Sequence, residues 1–106
     1  MFEETKALKV VVLEVGKAPE VRLIMDDLKA FQQLVGGYVE TTRMFGKVLC
    51  VCNEEGKLEG MPPNFLNWNA DMIVGNVFFV AHDGNGEFRS LNDAEVICLQ
   101  QIFIDR

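Results

Sequence analysis

Ala7-Leu8-Lys9-Val10-Val11-Val12-Leu13-Glu14-Val15 is the stretch that decides the fold. Leu8, Val10, Val11, Val12 and Leu13 put apolar side chains at both odd and even positions. Successive side chains of a strand point to opposite faces. A strand apolar on both parities must therefore be covered on both sides, which predicts a central strand. Lys47-Val48-Leu49-Cys50-Val51-Cys52-Asn53 has the same two-sided character. Val48, Cys50 and Cys52 share one face there, and Leu49 and Val51 share the other.

Working outward, Gly16-Lys17-Ala18-Pro19 is turn chemistry, and Glu20 to Met25 reads as a short strand returning along the first. Asp26 or Asp27 can accept backbone N–H bonds at a helix start. The helix carries Leu28, Phe31, Leu34 and Val35 on one face, and Gly36-Gly37 supplies its stop. Tyr38 to Arg43 alternates like a strand with one solvated face, in a hairpin with 47–53. Asp71 to Ala81 reads as the last strand, broken at Gly75-Asn76 by a bulge. His82-Asp83-Gly84-Asn85-Gly86 is a turn, and Ser90-Leu91-Asn92-Asp93 has the pattern that caps a helix. The final helix, Leu91 to about Ile104, is apolar around most of its girth, so it is expected to lie across the sheet. Two helices and about five strands joined by hairpins define an α+β domain, with a mainly antiparallel sheet and both helices expected on one face. The chain, residues 1–106, is expected to form a single domain.

The chain has 106 residues, 49% of them hydrophobic and 25% charged, ordinary values for a globular domain. Sixteen acidic against ten basic residues leave a net charge of -6. Nucleic-acid binders displace counterions with a basic surface, so direct binding to DNA or RNA is not expected. No run approaches the roughly 18 apolar residues that would span a bilayer. Met1-Phe2-Glu3-Glu4-Thr5 lacks the apolar core of a signal peptide. Three cysteines, an odd count, make a poor disulfide framework. A cytoplasmic protein without membrane contact is the expectation.

Four places carry residues capable of chemistry. Asp83-Gly84-Asn85-Gly86-Glu87 imitates the start of a calcium loop, but position six is Phe88 and position twelve is Ala94. Cys50, Cys52, Cys98 and His82 are the whole thiol and imidazole inventory, and Cys-x-Cys inside an apolar strand reads as core. His82 beside Asp83 has no nucleophile pattern near it. No metal, cofactor or catalytic residue is therefore expected. The fourth place is Glu54 to Asn69, where two glycines, two prolines and three asparagines forbid a long regular element. Asn64 to Trp68 leaves room for one helical turn. Long irregular segments in compact domains often carry function, and Pro62-Pro63 stiffens this one. Asn53, Glu54, Glu55, Lys57, Pro62, Pro63, Asn64 and Trp68 form the candidate binding loop, with Phe65 and Trp68 as aromatic anchors.

Several runs carry a resemblance. They are Val15-Gly16-Lys17-Ala18-Pro19-Glu20, Leu34-Val35-Gly36-Gly37-Tyr38-Val39-Glu40, and Val51-Cys52-Asn53-Glu54-Glu55-Gly56-Lys57-Leu58. Gly60-Met61-Pro62-Pro63-Asn64 and Ile73-Val74-Gly75-Asn76 complete the set. Together, over about Val10 to Asn92, the chain resembles a bacterial domain-of-unknown-function family of small proteins. Its members are carried by phages, plasmids and conjugative elements of Gram-positive and gut bacteria. Val15 stands where that family has a proline, a change confined to turn rigidity. The resemblance implies a mobile-element accessory protein and no catalytic residue. The expected function is a non-catalytic module binding a protein partner. A small-ligand or nucleotide sponge and an acidic anti-defence decoy are the alternatives. Eight Phe and five Met are many for a core of this size, so a homo-oligomer is a further expectation.

Overall fold

A computed structural model describes residues 6–106. The reading of Met1 to Thr5 falls outside the described residues. The chain runs β1 (Ala7–Leu13), β2 (Glu20–Met25), α1 (Leu28–Val35), β3 (Val39–Phe45), β4 (Val48–Asn53), β5 (Pro63–Leu66), β6 (Met72–Val74), β7 (Val77–His82), β8 (Phe88–Arg89) and α2 (Asp93–Ile102). The main sheet is antiparallel throughout, in the order β2-β1-β7-β4-β3, with β8 added beside the end of β7. β5 and β6 form a separate two-stranded sheet. The α+β class and the mainly antiparallel sheet are as the sequence patterns indicate.

β1, β7 and β4 are the central strands; β1 and β4 are apolar on both parities as expected, and β7 shares that character. Val11, Leu13, Cys50, Cys52, Val77, Phe79 and Ala81 face one core with Val96 and Leu99 of α2 and its C-cap residue Phe103. Leu8, Val10, Val12, Val51, Phe78 and Val80 face a second core with Phe31 and Val35 of α1. The two helices thus lie on opposite faces of the sheet, which corrects the expectation that they share one. The reason is the two-sided burial itself. Helices gathered on one face would leave Phe78, Val80 and their neighbours in water, and each such side chain is worth about 1.5–3 kcal/mol of burial. Aromatic contacts build both layers. Phe31 meets Phe78 and Phe88 at 5.5 and 5.3 Å between ring centres. Phe79, Phe103 and Phe65 pack mutually at 5.1–5.9 Å.

Helix ends follow local chemistry. Asp27, not Asp26, caps α1, accepting from the Ala30 N–H at 2.8 Å, and Gly36 closes it in the left-handed region at φ 81°. The start of α2 lies two residues beyond the expected one. Asn92 caps it and Glu95 returns the bond to the Asn92 N–H, a reciprocal capping box. Ser90 is otherwise engaged, its Oγ accepting from the Lys9 N–H at 2.9 Å. The segment read as one bulged strand from Asp71 to Ala81 is two strands in two sheets. Gly75 turns the chain between them at φ +75°. Residues Asn64 to Trp68 do not make the anticipated helical turn either, because Pro63–Leu66 pairs with β6 instead.

Arg89 links β8 to α2 through a two-pronged ion pair with Glu95, at 2.9 and 3.1 Å. The guanidinium, with the Asn92 N–H, holds the Glu95 carboxyl below its ordinary value of 4.5. A depressed folded-state pKa contributes stability that is complete above the unfolded value and is lost as pH falls through the folded one. Urea unfolding along an acid series is therefore expected to show wild type losing stability below about pH 4.5. Glu95→Gln should be less stable at neutral pH and should have a shallower acid slope. Equal slopes would remove Glu95 as a source of the acid sensitivity.

Candidate functional site

The irregular stretch begins with helical turns after β4. Gly56, Glu59 and Met61 donate backbone N–H bonds to Asn53, Glu55 and Gly56. Asn53 is buried, with only 6% of its surface exposed. Its Nδ2 donates to the Val35 carbonyl at 3.2 Å and its Oδ1 accepts from the Glu55 N–H at 2.8 Å. Asn53 therefore ties the end of α1 to the start of the loop. Close approach explains two of the glycines. A Cβ on Gly37 would meet Asn53 Nδ2 at 2.8 Å, and one on Gly75 would meet Met61 Sδ at 2.7 Å.

Asn64 is the second tie. Its Nδ2 donates to the Leu13 carbonyl at 2.9 Å and the Gly75 carbonyl at 2.8 Å. Its Oδ1 and backbone carbonyl accept from the Arg106 guanidinium at 2.8 and 2.7 Å, and Arg106 also donates to the Glu14 carbonyl. One side chain thus joins β1, β5, the Gly75 turn and the last residue of the chain. Pro62 and Pro63 serve the same connection. The Pro62 carbonyl accepts from the Gly75 N–H at 2.8 Å. Pro63 opens β5, a position where a missing N–H is tolerated.

The remaining candidates divide between two places. Asn53, Glu54 and Lys57 line a small cleft of about 110 Å³ with Glu40, Cys52 and Asp71. Lys57 is ion-paired to Asp71 across it. Asn53 and Glu55 also border a wider cleft of about 340 Å³ with Gln32, Tyr38 and Glu59. Burial raises the Cys52 thiol to about 11, with the Glu40 and Asp71 carboxylates adding to the effect. Cys50, deeper in the core, is raised by the same cause. At neutral pH these sulfurs are thiols, not thiolates, and lack nucleophilic strength. His82 Nδ1 accepts from the Gly84 N–H at 3.1 Å. The Asp83 carboxyl is held low because it accepts the Asn85 and Glu87 N–H groups, which organise the turn. No group of three or more potential metal ligands occurs among the described residues, and no helix there is long and apolar enough to cross a membrane.

Trp68 stands apart from the other candidates, at the tip of the β5–β6 hairpin. The tip is fixed by Asn67 Oδ1, which accepts from Asn69 and Asp71, and by Ala70 in the left-handed region at φ 58°. Trp68 Nε1 donates to the Met44 carbonyl at 2.8 Å, while 71% of the residue stays exposed. The indole is thereby anchored at its N–H while most of its ring faces water. Beside it an apolar groove of about 220 Å³ is lined by Met44, Phe65, Leu66, Ile102 and Phe103. Phe65 packs into the core behind the groove rather than serving as an exposed anchor. Leu66 and Ile102, at the rim, were not legible as site residues, since neither departs from ordinary strand or helix patterning. The role of Arg106 had no local signal at all, because its partners lie 42 and 92 residues away.

An α+β domain with opposed helices and a clasped hairpin is the class of protein these features define. Residues 8–103 match the family described as domain of unknown function DUF3846, and the chain belongs to that family. No curated protein and no solved structure matches it.

Two substitutions test the clasp. Asn64→Leu orphans the Leu13 and Gly75 carbonyls and part of the Arg106 fork, and is expected to cost about 2–3 kcal/mol in chemical denaturation. Gly75→Ala places a Cβ against Met61 in a left-handed backbone and is expected to cost about 1–2 kcal/mol. Met61→Ala in the Gly75→Ala background should recover only the steric part of that loss.

Proposed function

We propose that this chain is a non-catalytic binding module for a protein partner, an accessory protein of a phage, plasmid or conjugative element acting in the cytoplasm. The observation that carries the reading is the apolar groove beside Trp68. Its indole N–H donates to the Met44 carbonyl, and Leu66 and Ile102 at its rim are 60% and 39% exposed. Binding energy at protein interfaces concentrates in a few aromatic anchors beside well-formed apolar pockets. Preorganisation lowers the ordering cost on association, and a Trp pinned by a hydrogen bond has little left to lose.

Other features support the same class. The thiols of Cys50 and Cys52 are buried and protonated, and His82 is engaged by its own turn, so these residues offer no activated nucleophile. The two polar clefts carry Glu40, Glu54, Glu55, Glu59 and Asp71, with Lys57 as the one cation among their lining residues. That charge balance repels phosphate and weighs against a nucleotide ligand. The family resemblance supplies the mobile-element setting.

The test is affinity capture from a host that carries the element, comparing wild type with Trp68→Ala and Leu66→Asp. A protein retained by wild type should bind Trp68→Ala weaker by about 2 kcal/mol or more, on the order of 30-fold. Both variants should remain folded, with Trp68→Ala losing only the modest stability of its bond to the Met44 carbonyl. Capture that is indifferent to both substitutions would overturn the reading.

A further inference from the structure

The two edges of the main sheet are protected unequally. β3, on one edge, carries exposed Glu40 and Arg43, and its register with β4 shifts between Arg43 and Phe45. Charges and bulges of this kind prevent edge-to-edge association. β2, on the other edge, carries the Glu20–Arg22 ion pair but has neither proline nor bulge, and it pairs with β1 in unbroken register from Glu20 to Met25. Val21, Leu23 and Met25 project from it at 42%, 72% and 41% exposure. An edge of that kind is an association site.

The hydrogen-bond parity decides what can pair there. The Asp26 N–H donates to the Lys6 carbonyl, so even-numbered residues of β2 bond to β1. The opposite side of β1 agrees, since Lys9 bonds outward to Leu91 and Ser90. Val21, Leu23 and Met25 therefore direct their N–H and C=O groups to an edge that no strand among the described residues covers. The same three residues carry the exposed apolar side chains on the α2 face. Ile97 extends that face, one turn beyond Asp93, whose carboxylate holds Lys9 across from Leu23.

From this the geometry points to a second copy of this chain as the occupant: β2 pairs antiparallel with β2 of another copy, joining two sheets into one. A twofold axis normal to the sheet must match odd residues with odd residues. Centring it on Arg22 opposes two guanidiniums, and centring it on Leu23 opposes Glu20 with Asp26. Centring it on Ile24 places Arg22 across from Asp26 of the other copy, twice, and Leu23 across from Met25, also twice. Like charges directly opposed are destabilising and opposite charges favourable, so the register about Ile24 is the self-complementary one.

Light scattering on a sizing column tests it. Wild type is expected at twice the chain mass. Leu23→Lys and Leu23→Thr, at a site already mostly in water, are expected as folded monomers with wild-type circular dichroism. Arg22→Asp should also be monomeric, and adding Asp26→Arg should restore the dimer. Amide exchange gives an independent reading: Val21, Leu23 and Met25 should exchange slowly at high concentration and faster on dilution, with Arg22 and Ile24 unchanged. A monomeric wild type, a dimer indifferent to Leu23 substitution, or edge amides that exchange fast at every concentration would each overturn the proposal. A double swap that stays monomeric would overturn the register.

Discussion

Two-sided burial of β1, β7 and β4 is the constraint on which the rest depends. Val10 and Val12 face one core and Val11 and Leu13 the other. A strand in this position has no solvent face, so an element must cover each side. α1 takes one layer and α2 the other, with the β5–β6 hairpin helping α2 through Ile73 and Phe65. The helix positions, the hairpin and the Trp68 groove all follow from that demand for cover.

The hairpin is a cover with little core of its own, and a two-stranded hairpin is marginal by itself. It is held by polar ties. Asn64 reaches β1 and the Gly75 turn, Arg106 reaches back to Asn64 and Glu14, and Trp68 binds the Met44 carbonyl. These ties explain why residues that read as a polar recognition loop divide as they do. Asn53 and Asn64 spend their hydrogen bonds inside the fold. Glu54, Glu55 and Lys57 stay outside on acidic clefts, and Trp68 is left to face solvent in a fixed pose. The exposed indole beside an apolar groove is the feature on which the proposed partner binding rests, whereas the polar clefts are lined mainly by acidic residues.

Much of the local structure was legible in the residues. Asp27, Gly36 and the two-sided strands carry their meaning in composition and parity. Other assignments failed where competing partners were close in sequence. Ser90 fits a cap as well as Asn92 does, and only the approach of Lys9 draws Ser90 away. Asp71 to Ala81 has continuous strand character, and only the positive φ of Gly75 and the pairing of β6 with β5 divide it. The Trp68 anchor was legible as an aromatic in an irregular segment, but its groove was not, because Leu66 and Ile102 are brought beside it from separate elements.

The sequence by itself determined the class of fold, since side-chain parity along a strand is local and dictates which faces need cover. It determined the acidic balance and the turns after β1, α1 and β7 for the same reason: each depends on a residue and its near neighbours. The tertiary structure alone decided that the helices lie on opposite faces, that Asn64 and Arg106 clasp the hairpin, and that among the described residues β2 forms an unbulged edge while β3 is bulged. Those outcomes depend on contacts across tens of residues, which packing and hydrogen-bond satisfaction select only once the whole sheet is assembled.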